Sequence, residues 1–364
     1  MGVLGPYRVV RELGKGGMGA VYLAVDTRLD RKLALKLMLP EFAANGDAKE
    51  RFIREAKAVA QVGHDNVVTI YEADERDGVP YLAMQFLQGY PLDEFLKKKG
   101  CPPVAQCVRI GIEAARGLAA AHELGLVHRE IKPANLWLEA PNGRVKVLDF
   151  GLAKPVGTDA ELTKCGAVVG TPAYMSPEQA RGLKVDARTD IFSLGSVMYR
   201  LLAGKNPFAG ENIMAVLMAL GTEEPTPIRE LNPNVPEALE AFVHRMMAKK
   251  PEARSQTAAE VAQGLRAALA QPSPSADQSQ ALPVVVQPVP VEQSMHVTIA
   301  PESAFANLTD EDEPTEAASA EPVARARRAG GKGPLLAVGA AVLLAGAAIA
   351  VLIALKGKSP EVAK

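Results

Sequence analysis

The chain has little of what staples or metallates small folds. Its 364 residues include only three cysteines, Cys101, Cys107 and Cys165, an odd number without CxxC spacing. That excludes a disulfide framework or a cysteine-ligated metal site and suits a reducing cytoplasm. The five histidines are too scattered for a ligand cluster. Charge of neither sign dominates: 41 Lys and Arg face 42 Asp and Glu, a formal net charge of -1. No nucleic-acid or anionic-membrane partner is therefore expected across the whole surface. The start, "MGVLGPYRVV", lacks the basic stretch and apolar run of a signal peptide, and Pro6 stands where a myristoylation motif wants Ser or Thr. What remains, 48% hydrophobic and 23% charged, is ordinary globular material. The length suits about two domains, or one large enzyme domain with appendages.

Composition shifts near residue 270. The stretch "QPSPSADQSQALPVVVQPVPVEQS" and the residues after it, through "TDEDEPTE" to "ARARRAGGKG", are rich in Pro, Ser, Ala and charge blocks. Such material cannot bury enough apolar surface to offset chain entropy, so residues 271–333 are expected to be a disordered linker. A flexible coil of that length spans roughly 45 Å end to end. Residues 335–355, "LLAVGAAVLLAGAAIAVLIAL", carry no charge. As a helix they would be about 30 Å long, the thickness of a hydrocarbon core, and are read as a single membrane span. Arg325, Arg327, Arg328 and Lys332 precede it, against Lys356, Lys358 and Lys364 in the short tail 356–364. That bias predicts a cytoplasmic N-terminal side and a membrane-anchored protein. The small residues of "GAAVLLAGAA" would let two such helices approach as a homodimer.

Before residue 270 two patterns alternate. "YRVVREL", "AVYLAVD", "KLALKLML", "VVTIYEA" and "PYLAMQF" read as strands, whereas from Leu92 onward "QCVRIGIEAARGLAAAHEL" and "DIFSLGSVMYRLLAG" have helical period. The expected fold is α+β: a small sheet-rich lobe, then a larger helical lobe. "GKGGMGAVY" places Gly14, Gly16, Gly19 and Val21 as GxGxxGxV between two strands. Glycines there let a hairpin approach phosphates with its backbone N–H groups, although a plain glycine-rich hairpin would give the same pattern. Lys36 lies on an apolar strand, where an ammonium needs partners; a solvated surface lysine is the alternative. Glu55, in "RFIREAKAV", is the best candidate partner, with Phe52, Ile53, Ala56 and Val59 packing around it.

Further on, "HREIKPAN" and "VLDFGLAK" set His128, Lys132, Asn135, Asp149, Phe150 and Gly151 in the order of a catalytic and a metal-binding loop. "GTPAYMSPEQ" (170–179) and "TDIFSLG" with Asp190 come next. From about residue 7 to 268 the chain resembles the bacterial eukaryotic-like Ser/Thr protein kinases. The resemblance implies a two-lobed kinase fold, with ATP and Mg2+ or Mn2+ as cofactors and Ser or Thr of proteins as acceptors. It implies that Lys36 holds phosphates while paired with Glu55, and that Asp149 and Asn135 hold the metal. The nucleotide would meet Gly14, Gly16, Gly19, Val21, Ala34, Met84 as gatekeeper, and backbone groups of Gln85 and Leu87. Lys132 and Thr171 match kinases acting on Ser or Thr rather than Tyr. Glu178 and Arg254 would form a buried ion pair bracing the substrate loop. Val59, Ile70, His128 and Phe150 would stack as an apolar spine, His128 by packing alone. Arg129 and Lys154 would receive a phosphate on Thr163 or another threonine of the activation segment.

Two residues depart from the family. Trp137, the single tryptophan, stands where a leucine usually lies beneath adenine; it would stack on the base or simply fill the core. Glu130 replaces the aspartate that aligns the acceptor hydroxyl. It keeps the carboxylate but adds a methylene and a rotatable bond. Misplacement by about 1 Å can cost roughly a hundredfold, yet phosphoryl transfer asks little of a base. The expectation is an attenuated, membrane-tethered kinase; the alternative is an ATP-binding pseudokinase acting as a scaffold. A third reading gives the work to the linker, as a docking segment.

Overall fold

The alternating segments of the first lobe form a six-stranded antiparallel sheet of order β1-β2-β3-β4-β6-β5. Its strands are β1 (Val3–Leu4), β2 (Tyr7–Lys15), β3 (Gly19–Asp26), β4 (Arg31–Met38), β5 (Ile70–Arg76) and β6 (Val79–Gln85). The structure is a computed structural model that describes residues 2–16, 19–150 and 172–271.

Side-chain alternation gives this sheet two apolar faces. Tyr7, Ala24, Leu33, Leu35, Tyr81 and Ala83 form a separate small core on one of them. Glu72 accepts hydrogen bonds there from both Tyr7 and Tyr81, which satisfies the two phenol hydroxyls at that core's edge. The other face, with Leu82 and Met38, belongs to the main core. It packs on α2 (Gly46–Val59), which follows the short α1 (Pro40–Ala43). Asn45 caps α2 by accepting from the Ala48 N–H, and Phe52, Ala56 and Val59 recur at helical spacing as its buried stripe.

The second lobe contains α3 (Leu92–Lys99), α4 (Val104–Glu123), α5 (Pro177–Ala180), α6 (Ala187–Ala203), α7 (Ile213–Thr222), α8 (Ile228–Leu231), α9 (Glu237–Met246) and α10 (Ala258–Ala270). α6 is its axis: 13 of its 17 residues are buried, so its polar side chains must find partners inside the protein. A Cβ at Gly195 would stand 2.9 Å from Met246 Cβ, so the α6–α9 crossing needs a glycine.

The periodicities anticipate the two lobes, but not one of the sheets. β7 (Gly89–Pro91), β8 (Leu136–Glu139) and β9 (Arg144–Val147) form a three-stranded antiparallel sheet on the helical lobe. Its strands are too short for an alternation signal to emerge. Val67 and Val68, expected to open β5, instead reach Val147: the Val68 N–H donates to its carbonyl at 3.1 Å. β5 begins only at Ile70. Among the described residues no helix is long and apolar enough to cross a membrane. The expected linker beyond Gln271, the span 335–355 and the tail 356–364 lie outside them.

Candidate active site

The face of the first sheet that meets the second lobe also carries the residues expected to hold a nucleotide. Strand register sets Val21 opposite Lys36, and Ala34 opposite Met84. At the hairpin of β2 and β3, the Gly16 N–H donates to the Gly19 carbonyl at 2.8 Å. A Cβ at Gly19 would clash with the Leu37 carbonyl at 2.6 Å, so packing itself requires that glycine. Gly14 has open space where a Cβ would stand, and Gly16 nearly so. The open side they leave fits a phosphate-covering hairpin. Between β6 and β7, Leu87 is buried, yet its backbone N–H and C=O have no partner among the described residues. An unpaired donor and acceptor on one buried residue suit the hydrogen-bonding edge of a purine. The Gln85 N–H, in contrast, already donates to the Thr69 carbonyl at 2.9 Å.

The Lys36 ammonium is 2.6 Å from Asp149 Oδ1. Burial pushes the Asp149 carboxyl up, and Lys36 overrides it, holding the group below the usual carboxylate range. The expected Lys36–Glu55 pair is not made. Glu55 has no hydrogen bond or ion pair among the described residues; half-burial raises its carboxyl, and Arg129, Arg54 and Arg51 pull it back. With a single ammonium available, the carboxylate in direct contact takes it. α2 is tethered at its other end, where Lys49 pairs with Glu75 at 2.7 Å.

The loop from His128 to Asn135 is held from beneath by Asp190 of α6, which is fully buried. Its carboxylate accepts from the His128 N–H at 2.8 Å, the Arg129 N–H at 2.7 Å and His122 Nε2 at 2.8 Å. These bonds support Arg129 at φ 64°, in the left-handed region. His128 does more than pack. The Glu130 N–H donates to its Nδ1 at 3.2 Å, so its proton lies on Nε2 and is donated to the Leu148 carbonyl at 2.7 Å. Burial holds this imidazole neutral by lowering its pKa. His128 thus links the backbone of Glu130 to the residue before Asp149. Its ring centroid also lies 4.7 Å from that of Phe150, with the planes tilted by 50°, and Val59, Ile70 and Phe150, the other residues of the expected spine, are buried in the main core.

The Glu130 side chain is fixed by Lys132, whose Nζ lies 2.7 Å from Oε1. Asn135 Nδ2 donates to the Glu130 carbonyl at 2.8 Å. That leaves Asn135 Oδ1 and Asp149 Oδ2 without a donor among the described residues. Two unoccupied oxygens, one anionic, suit a hard divalent cation that also takes phosphate oxygens. Among the described residues no group of three or more His, Cys, Asp or Glu could hold a metal by itself.

Comparison with known proteins gives the family. The protein kinase domain model matches residues 7–264. The chain belongs to the protein kinase family. It is 41% identical over 271 residues to a serine/threonine-protein kinase, Pkn1, of Myxococcus xanthus, covering 73% of this chain and 39% of that protein. It is 42% identical over 284 residues to the tyrosine-protein kinase MasK of the same species, covering 73% and 43%. The chain thus spans about two fifths of the length of these relatives. Among solved structures, the kinase domain of Mycobacterium tuberculosis PknI superposes with a TM-score of 0.59 at 27% identity, covering 73% of this chain and 97% of that one.

In this protein kinase domain the expected Glu178–Arg254 pair forms. It is two-pronged, at 2.7 and 2.8 Å, and Arg254 is buried. Burial works against the Glu178 carboxylate, but Arg254 and the Thr189 hydroxyl hold its pKa below the usual range. Trp137 lies between buried Leu136 and Leu138 on β8, so its indole faces away from their core. Its Nε1–H donates to the Gln88 carbonyl at 3.0 Å, tying β8 to the segment after β6. Thr171, Gly151, Lys154 and Thr163 lie outside the described residues. Sequence reasoning gave no role to Asp190, His122 or Gln179, whose Nε2 donates to the Arg129 carbonyl at 2.7 Å. Asp190 and Gln179 stood inside quoted motifs; only their burial reveals what they bond.

Proposed function

We propose that the chain is an ATP-dependent protein serine/threonine kinase, tethered to the membrane through residues 335–355 with its catalytic domain in the cytoplasm, and slowed by Glu130. The observation that carries this reading is the cluster in which Lys36 reaches Asp149, two oxygens of Asp149 and Asn135 stay open, and Lys132 fixes the Glu130 carboxylate. Asn135 and Asp149 would hold Mg2+ or Mn2+, which when bound neutralises charge developing on the transferred phosphoryl group. Lys36 would neutralise further phosphate charge, and Leu87 would anchor the purine. Glu130 accepts the hydrogen bond of the acceptor hydroxyl and orients it toward the γ-phosphate, with Lys132 limiting the freedom its extra methylene adds. Both relatives are bacterial, one bearing a serine/threonine- and the other a tyrosine-kinase name; Lys132 favours hydroxyls of Ser and Thr.

The test is phosphate transfer by the full chain in detergent, from labelled ATP with Mg2+ to a generic basic protein. Wild type, Glu130→Asp and Lys36→Met are compared, with phosphoamino-acid analysis of the product. Slow transfer to Ser or Thr, abolished in Lys36→Met, is expected. Transfer by Glu130→Asp alone would mean that the wild-type chain binds nucleotide without using it.

A further inference from the structure

Behind the Glu178–Arg254 pair, where α5, the start of α6 and the segment after α9 meet, lies an open cleft of about 290 Å3. Its lining includes three carboxylates, of Glu178, Asp186 and Glu252, and each is already engaged. Glu178 bonds Arg254, while Asp186 and Glu252 both pair with Arg188, at 2.6 and 3.9 Å. Three cations on the same cleft, Arg181, Lys184 and Lys250, are exposed and have no ion pair or hydrogen bond from their side chains among the described residues. Lys249 is partly withdrawn: its Nζ donates to the Leu220 carbonyl at 2.9 Å and lies over the Phe208 ring, and the charges of Glu224 and Glu223 act on it. The cleft therefore keeps an excess of positive charge: Arg181, Lys184 and Lys250 outnumber the one surplus carboxylate of Asp186 and Glu252, which share Arg188. Leu183 adds an apolar contact at its rim, 52% exposed.

This surface is firmly built. The Leu183 N–H donates to the Glu178 carbonyl at 2.9 Å and the Gly182 N–H to that of Gln179 at 3.1 Å, fixing the turn that carries Arg181 and Lys184. Pre-placed cations lose less freedom on meeting a ligand than cations on a mobile loop.

We propose that this cleft is a docking site for an acidic segment of a protein partner, carboxylates meeting Arg181, Lys184 and Lys250 and an apolar residue covering Leu183. None of Arg181, Lys184, Lys250 and Leu183 is among the residues proposed to hold nucleotide, metal or acceptor hydroxyl. The test therefore needs no catalysis, and a chain that transferred no phosphate would still be expected to bind.

The probe is a fluorescein-labelled glutamate-rich peptide carrying one leucine, followed by polarisation with the full chain in detergent. Saturable binding that weakens as salt rises is expected. The double reversal Arg181→Glu with Lys184→Glu should weaken it at least about tenfold, and Lys250→Glu by less. Lys32→Glu, the same charge change as Lys250→Glu but at an exposed position of β4, should stay within about twofold of wild type. Equal loss in Lys32→Glu, or none in the double variant, would overturn the proposal. Binding of phosphatidylserine vesicles lost in the double variant, with peptide affinity unchanged, would reassign the cleft to a lipid surface.

Discussion

The nucleotide side and the acceptor side of this site are held by opposite means. On the nucleotide side the Lys36–Asp149 ion pair ties β4 to the segment after β9, and its carboxylate partner is 43% exposed. Glu55, half-buried on α2, has no hydrogen bond or ion pair among the described residues. On the acceptor side the chain from His128 to Asn135 rests on the buried carboxylate of Asp190, and α5 is pinned by the buried Glu178–Arg254 pair. The first side can exchange partners at little cost. The second cannot, because every alternative strands a buried charge. Rearrangement on binding a ligand is therefore expected where the bonds are few, while the loop from His128 to Asn135 is built to stay.

The sharpest way to break that comparison is Arg254→Met. Removing one partner of a buried pair costs about 3–5 kcal/mol, so the thermal midpoint should fall by on the order of 10 °C. An unchanged midpoint would mean the acceptor side is not braced as described. Next comes Glu130→Asp, expected to raise the transfer rate by up to roughly a hundredfold while leaving the denaturant midpoint nearly unchanged, because only alignment improves. A fall in rate would show that the lobe is already shaped around the longer side chain.

The pH dependence is smaller. His128 and His244 are held by burial below their ordinary value of 6.5. Below that pH the unfolded chain binds protons that the folded chain refuses. Stability should therefore be full above pH 6.5 and fall as pH drops, by at most about 1.4 kcal/mol per pH unit for each group. Urea midpoints at a series of pH values for wild type and His244→Gln measure the slope, which should shrink in the variant. The smallest effect is on the nucleotide side: Lys36→Met should change folding stability by no more than about 1 kcal/mol, since the pair is partly solvated, although it abolishes transfer. A loss as large as that of Arg254→Met would erase the distinction between the two sides.

Much of this was legible before any coordinates. Lys36, Asp149, Asn135 and Glu130 were each singled out by a motif, a short stretch whose local geometry its own residues largely dictate; the contacts Lys36–Asp149 and Asn135–Glu130 were not foreseen. The buried stripe of α2 followed from helical spacing alone. Partner choice did not. Glu55 lies on the expected helix yet leaves Lys36 to Asp149, because which carboxylate reaches an ammonium depends on how helix and lobes sit. His128 read as packing; its two ring bonds depend on Leu148, 20 residues away, and on Glu130.

By itself, then, the sequence determined the two lobes, the family and the residues available for chemistry, because periodicity and turn residues act over a few positions. Only the tertiary structure decided how those residues are charged and paired. It put Asp190 under the catalytic loop, left Asn135 Oδ1 and Asp149 Oδ2 open, and gathered Arg181, Lys184 and Lys250 around one cleft. Electrostatics and burial act through space, and separations of 60 residues or more along the chain, as between Arg129 and Asp190, vanish only when the helices pack.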